Sequence, residues 1–182
     1  MQYFVDQNSV VRKIWGKSDT VLFIFAGAAA EFALNKAVDW LYYTGKLPSD
    51  PLGRLFSTVR YAHKIVFSPT DEAHKALEGL RHIHGALEQS RGYAIPDWAY
   101  RDVLFMLIHY SIASYELLEN KLSDAEKEEV YNVFFRLGTG MGLKSLPATY
   151  TEWLPVRKAH LMEDLEKSKY TDDLFLQYKK HL

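Results

Sequence analysis

Apolar residues recur every three or four positions through most of the chain, and this spacing constrains the fold more than any other feature. Such spacing places apolar side chains on one face of a helix. No stretch shows the sustained alternation of apolar and polar residues that predicts a strand between turn dipeptides. We therefore expect an all-α protein.

The segment 98–120 carries the most uniformly apolar of these patterns. Its middle reads VLFMLIHYSIASY, which is apolar on almost every side of a helix. A helix with so little polar surface is buried on most of its faces. At 182 residues the chain has the size of one domain. We expect a single-domain orthogonal helical bundle over residues 1–182, packed around this segment as its central helix.

Local signals predict where the helices begin and end. A loop is predicted at Pro48 and Pro51, and a break near Asn35 in the helix that precedes it. The most specific start signal is Ser123, because Glu126 three residues later completes a capping box. The predicted N-caps, in chain order, are Ser18, Ser68, Ser123, Thr149 or Thr151, and Thr171.

The charge balance argues against a nucleic-acid partner. The 22 basic and 23 acidic residues form no long block of one sign, so the sequence lacks the basic patch that phosphate backbones require. The chain also has no cysteine, which excludes disulfides and thiolate-bound metals. Any metal must be held by histidine, carboxylate or tyrosine.

Two stretches bear on membranes and export. The N-terminus reads MQYFVDQNSVVRKIW, without the basic region and apolar core of a secretory signal. The most apolar run, VLFIFAGAAA at 21–30, is well short of the roughly 20 residues that span a bilayer. We expect this run to form a buried helix, and the protein to be cytoplasmic without a transmembrane segment.

His84 is the first candidate for a reactive residue. At helical spacing it shares a face with Leu80, Leu87 and Glu88, so this side of the helix is predicted to face inward. An imidazole that points into an apolar interior can serve as the axial ligand of a haem iron. A core histidine paired with a neighbour gives the same pattern. His82 faces another side of the helix, so the two cannot chelate one metal.

Arg54, Thr58 and His109 are the other candidates. Arg54 and Thr58 lie one helical turn apart, where a guanidinium and a hydroxyl could hold a carboxylate such as a haem propionate. A surface salt bridge and a threonine bonded to its own backbone are the alternative. His109 lies within an apolar helix and needs a partner if buried. It could line a distal pocket, relay protons or simply bond to a neighbour.

Several enzyme classes lack their characteristic residues in this chain. A di-iron carboxylate bundle needs paired Glu-x-x-His motifs, and the sequence contains none. Nucleophile elbows, phosphate-binding loops, dinucleotide fingerprints and His-Glu-x-x-His are also absent. These observations disfavour hydrolases, nucleotide-binding enzymes and zinc proteases.

A series of segments, in order, resembles one known family. The segments are DPLGRLFSTVRYAHKIVF, LRHIHGALEQSRGYAIPDWAY, LFMLIHYSIASYE, LSDAEKEEVYNVFFRLGTGMGL and LPATYTEW. Their order and spacing resemble the α-helical oxygenases that include the bacterial latex clearing protein, a rubber oxygenase, and the fungal MpaB oxygenase. The resemblance covers residues 21–153.

The resemblance implies a haem b protein that uses dioxygen to oxidise an apolar, isoprenoid-like or lipid-like substrate. By motif, His84 matches the family histidine that binds the haem iron, and it is the implied metal ligand. Arg54 and Thr58 match a pair that borders the haem and its distal side. His109 matches a histidine of the following helix, and the implied catalytic set is Arg54, Thr58 and His109.

Two other functions are compatible with the same sequence. The first is a helical module without a metal that binds an apolar ligand or a partner helix. The second is a haem carrier or sensor that binds haem without turnover. Metal content separates the first from an oxygenase, and a turnover assay separates the second.

Overall fold

The computed structural model describes residues 2–43, 45 and 49–181, except for the side chains of residues 51, 52, 54 and 55. Over these residues the chain forms nine helices and no strand, so the all-α prediction is confirmed. The helices are α1 Val10–Trp15, α2 Ser18–Phe32, α3 Asp39–Tyr43, α4 Pro51–Phe67, α5 Thr70–Arg91, α6 Asp97–Leu118, α7 Asp124–Gly140, α8 Tyr150–Glu163 and α9 Lys169–His181.

Helix α6 is the central helix, as its apolar sequence predicted. Phe105 and Ile108 are completely buried, and Ser111 accepts a hydrogen bond of 3.2 Å from the indole Nε1 of Trp15. The helix packs against α1, α2 and α7, and most extensively against α2. Ser111, a polar position of this apolar helix, therefore meets a partner from another helix inside the protein.

The close contact between α2 and α6 depends on Gly27. A Cβ atom built on Gly27 would lie 2.3 Å from the ring carbons of Tyr110, so only glycine fits without a shift of that ring. The small side chain thus lets Tyr110 lie directly against the α2 backbone. This approach brings the hydroxyl of Tyr110 to the end of α2, where the interior polar residues begin.

The run at 21–30 is only partly buried, which corrects the expectation of a buried helix. Val21, Ile24 and Phe25 face the core, whereas Leu22 and Phe23 are 50% and 48% exposed. Helix α2 lies at the surface of the bundle, so one side of its apolar sequence faces solvent. In the part of the chain that the structure describes, no helix is long and apolar enough to cross a membrane.

Helix starts were predicted well where a cap is local and complete. The capping box of Ser123 and Glu126 is present, and the hydroxyl of Thr149 accepts the amide hydrogen of Glu152 at the start of α8. The predicted break at Asn35 is also confirmed, because α2 ends at Phe32. Pro48, in the predicted loop, lies outside the described residues.

Three predicted caps were wrong. Lys17 is the N-cap of α2, and Ser18 is its first helical residue. Ser68 ends α4 as its C-cap in an extended conformation, and Pro69 takes the N-cap position of α5. Thr171 lies inside α9, where its hydroxyl accepts the backbone N–H of Ser168. In the first two cases the neighbouring residue has the N-cap position, and in the third the predicted cap lies within the first turn of the helix.

Candidate functional site

His84 lies in the second half of α5 and is half-buried. Its Nδ1 atom is shielded from solvent. The ring of Tyr100, from the first turn of α6, meets the imidazole edge to face with ring centroids 5.1 Å apart. His82, two residues earlier, is exposed. The structure therefore distinguishes the two histidines in the way the helical spacing predicted.

Glu88 fixes the tyrosine that covers His84. One carboxylate oxygen of Glu88 accepts a hydrogen bond of 3.1 Å from the hydroxyl of Tyr100 and another of 2.9 Å from the backbone amide of Ile95. Burial, followed by this hydrogen bond and the charge of Glu88, raises the pKa of Tyr100 far above its ordinary value. Tyr100 thus stays a neutral donor, and its acceptor Glu88 lies one helical turn from His84 on the same face of α5.

Arg54 and Thr58 both lie on α4, one turn apart, as predicted. Thr58 is half-buried. The side chain of Arg54 lies outside the described residues, so its role stays a prediction. Helix α4 packs against α5, the helix that carries His84.

His109 belongs to a different group of residues from His84. Tyr100, which contacts His84, and His109 are nine residues apart on α6, which places them on opposite sides of the helix. His109 is exposed, and its ring centroid lies 5.0 Å from that of Tyr110. Desolvation by the surrounding chain and the charge of Arg157 lower the pKa of His109, against a smaller opposing effect of Glu31.

Glu31 and Arg157 form a buried ion pair beside His109. Two guanidinium nitrogens of Arg157 donate to the two carboxylate oxygens of Glu31 at 2.7 and 2.5 Å. The hydroxyl of Tyr110 donates a third hydrogen bond of 3.1 Å to Glu31. Burial, together with the charge and hydrogen bond of Glu31, raises the pKa of Tyr110 to about 12. This ion pair and its tyrosine partner join α2, α6 and α8.

A second, largely buried cluster lies one helical turn further along α8 and just past the end of α2. Nδ1 of His160 contacts a carboxylate oxygen of Asp102 and lies 3.4 Å from one of Asp164. Asn35 donates a hydrogen bond of 2.7 Å to the other oxygen of Asp102. Desolvation and the charge of Asp102 raise the pKa of Asp164. One donor atom from each of Asp102, His160 and Asp164 lies within 4.8 Å of the others, so this group could hold a metal ion.

Backbone hydrogen bonds fix the two chain segments that border this cluster. The amide of Lys36 donates to the carbonyl of Asp164 at 2.9 Å, and the amide of Glu166 donates to the carbonyl of Leu34 at 2.7 Å. Asn35 also accepts the amide hydrogen of Ala37 at 2.9 Å, which orients its side chain. The segment after α2 therefore pairs antiparallel with the segment that follows α8.

Sequence reasoning missed both interior clusters. The available signal was the spacing of Arg157, His160 and Asp164, which puts all three on one face of α8. Read alone, such a face is more often a solvated one than a buried one. Their partners Glu31 and Asp102 belong to separate apolar helices, and only the fold brings them together.

Comparisons with known proteins bear on the whole chain. Neither the curated proteins nor the solved structures contain a significant match to it. The sequence pattern of the family described as "ER-bound oxygenase mpaB/B'/Rubber oxygenase, catalytic domain" matches residues 13–177, nearly the full length. That range begins in α1 and ends in α9, so it includes every helix that carries the residues described above. The chain therefore belongs to the family of the MpaB and rubber oxygenase catalytic domains.

Proposed function

We propose that this protein is a haem b-dependent oxygenase that acts with dioxygen on an apolar substrate of the isoprenoid or lipid type. The observation that carries this proposal is the family match over residues 13–177. The placement of His84, the proposed metal ligand, supports it. The family match itself concerns oxygenases, and the haem, the dioxygen and the substrate class are the parts that we propose.

His84 would hold the haem iron through its imidazole, and its chemistry and surroundings suit that role. A metal-binding imidazole presents one ring nitrogen to the metal, while the protein holds the other. The Nδ1 of His84 is shielded from solvent, and Tyr100 packs against the ring. The chain has no cysteine, so a thiolate cannot take the place of the imidazole. Bound haem would supply the redox chemistry that activates dioxygen.

A task is proposed for four further residues, Arg54, Thr58, Tyr100 and Glu88. Arg54 would bind a propionate through its guanidinium, and the hydroxyl of Thr58 would orient dioxygen or the substrate. Tyr100 and Glu88 would keep the imidazole of His84 in one orientation. His109 lies on the opposite side of α6 from Tyr100, so we propose no contact of its imidazole with the haem or the substrate, and its lowered pKa favours the neutral ring.

A turnover assay tests the catalytic part of the proposal. Protein supplied with haem b is incubated with dioxygen and a short isoprenoid, and carbonyl products are measured by mass spectrometry. We expect product formation that requires dioxygen. Its rate should fall at least about tenfold in Thr58→Val, which keeps the shape of the side chain and removes the hydroxyl. Haem binding without any product would indicate a carrier or sensor and would contradict the oxygenase proposal.

A further inference from the structure

We propose that Asp102, His160 and Asp164 form a binding site for one divalent transition-metal ion of the Zn²⁺, Fe²⁺ or Mn²⁺ class, separate from the haem site. The two sites lie on different sides of α6. Tyr100 faces His84 on α5, whereas Asp102, two residues further along α6, faces Asn35 and α8. Two residues span a little over half a helical turn, so the body of α6 lies between the sites.

The donor atoms are already close to each other. One atom from each of the three residues lies within 4.8 Å of the other two. A metal bound to imidazole nitrogen and carboxylate oxygen has bonds of about 2.0 to 2.2 Å, so two of its ligand atoms lie up to roughly 4.2 Å apart. A small adjustment of the side chains therefore suffices to place one ion between them.

The chemistry of the donors selects the class of ion. Imidazole suits zinc, iron, copper and nickel, whereas carboxylates suit harder ions such as manganese. A set of one imidazole and two carboxylates is a mixed nitrogen and oxygen site, which Zn²⁺, Fe²⁺ and Mn²⁺ accept. Three protein ligands leave further coordination positions for water. Asp164 supplies the entry path, because its side chain is 19% exposed while the other two are almost fully buried.

The charge of the cluster is incomplete without a cation. Two carboxylates face one imidazole, and even a protonated imidazole balances only one of them. An uncompensated charge in a buried site is costly. A divalent ion with a neutral imidazole balances both carboxylates.

The surrounding hydrogen bonds prepare Asp102 as a ligand. Asn35 donates a hydrogen bond to one oxygen of this carboxylate, and the other oxygen contacts His160. Such outer partners orient metal-binding carboxylates. The bound ion would tie α6 to the end of α8 and so stabilise the segment after α2 that pairs with it.

Metal titration of the full-length chain tests the site. Protein treated with a chelator and desalted is titrated with Zn²⁺ or with Mn²⁺, and thermal unfolding and bound metal after gel filtration are both measured. We expect one equivalent per chain and a melting temperature that rises with metal concentration. Asp164→Asn should weaken binding by at least about tenfold. Asp102→Asn should do the same, and helical circular dichroism confirms that both variants fold.

Two controls separate this site from others. Asp172→Asn, at an exposed carboxylate, should bind metal as the wild type does. His84→Ala should also keep the equivalent of Zn²⁺ or Mn²⁺, whatever happens to haem. A wild type that binds no more metal than Asp164→Asn would overturn the proposal. So would loss of the ion in His84→Ala, because it would place the metal at the other histidine.

Discussion

Glu31 and Arg157 lie 126 residues apart in the sequence and form an ion pair with two hydrogen bonds, where α2, α6 and α8 meet. Their side chains are only 6% and 5% exposed. Removal of one member of a buried pair leaves the other charge without compensation, which typically costs about 3 to 5 kcal/mol. This pair is therefore expected to be the most sensitive polar contact of the fold.

We predict that Arg157→Met lowers the free energy of unfolding by about 3 to 5 kcal/mol, because it leaves Glu31 buried without its partner. Urea unfolding measures the loss. The matched control is Lys167→Met, which removes a pair with Asp172 whose side chains are 69% and 67% exposed. Exposed pairs contribute about 1 kcal/mol or less. Equal effects of the two substitutions would contradict the prediction.

Gly27 should tolerate no larger residue. In Gly27→Ala the new Cβ meets the ring of Tyr110 at 2.3 Å, so the ring or the helix must shift. Overpacking of this kind costs about 1 to 3 kcal/mol. Gly79→Ala is the control, because a Cβ at this α5 position meets nothing within 4 Å. It should raise stability by roughly 0.5 to 1 kcal/mol through helix propensity. Thermal unfolding of both variants checks the opposite signs.

His109 should make folding stability depend on pH. Its pKa is lowered in the folded state by desolvation and Arg157, whereas the unfolded chain has a value of about 6.5. As the pH falls through about 6.5, the unfolded state binds the proton first, so the free energy of unfolding decreases. Above that region His109 is neutral in both states and adds no pH dependence.

Urea unfolding between about pH 8 and pH 5 measures this effect. His109→Gln should lose less stability on acidification than the wild type, because it has no proton to bind at this position. His82→Gln, at an exposed position of α5, gives the baseline for removal of a histidine. If the wild type and His109→Gln show the same dependence on pH, the position of His109 beside Arg157 does not affect its titration.

The two serines that precede helices should respond differently to alanine. Ser123 accepts the amide of Glu126, and loss of such a cap costs about 1 kcal/mol. Ser68 ends α4 instead, so Ser68→Ala should change stability by less than about 0.5 kcal/mol. Thermal unfolding measures both values. A larger loss at Ser68 than at Ser123 would contradict the assignment of the caps.

The fold was predictable where its causes are local. The apolar character of residues 103–115 indicated a central helix. The capping box of Ser123 and Glu126, a pattern of four consecutive residues, predicted the start of α7. Ser68 misled because a serine before a proline is compatible both with the end of one helix and with the start of the next. The exposed side of α2 was not predicted, because a helix that is apolar on all sides carries no pattern that indicates which face packs against the protein core.

The interior polar residues could not be predicted because their partners are distant in sequence. Asp102 meets His160 and Asn35 across 58 and 67 positions, and no local pattern joins them. His84 was a different case, since its spacing from Leu80 and Leu87 indicated a covered face, and the structure has it half-buried. Its contact with Tyr100 depends on the loop between α5 and α6 and had no sequence signal.

The absorption spectrum of the protein purified from haem-supplied cells tests the central proposal most directly. We predict a Soret band in the wild type and in His82→Ala, whose exposed side chain serves as the matched control. His84→Ala should lose or shift the band while its helical circular dichroism stays that of a folded protein. A wild type without a Soret band, or an unchanged band in His84→Ala, would contradict haem ligation by His84.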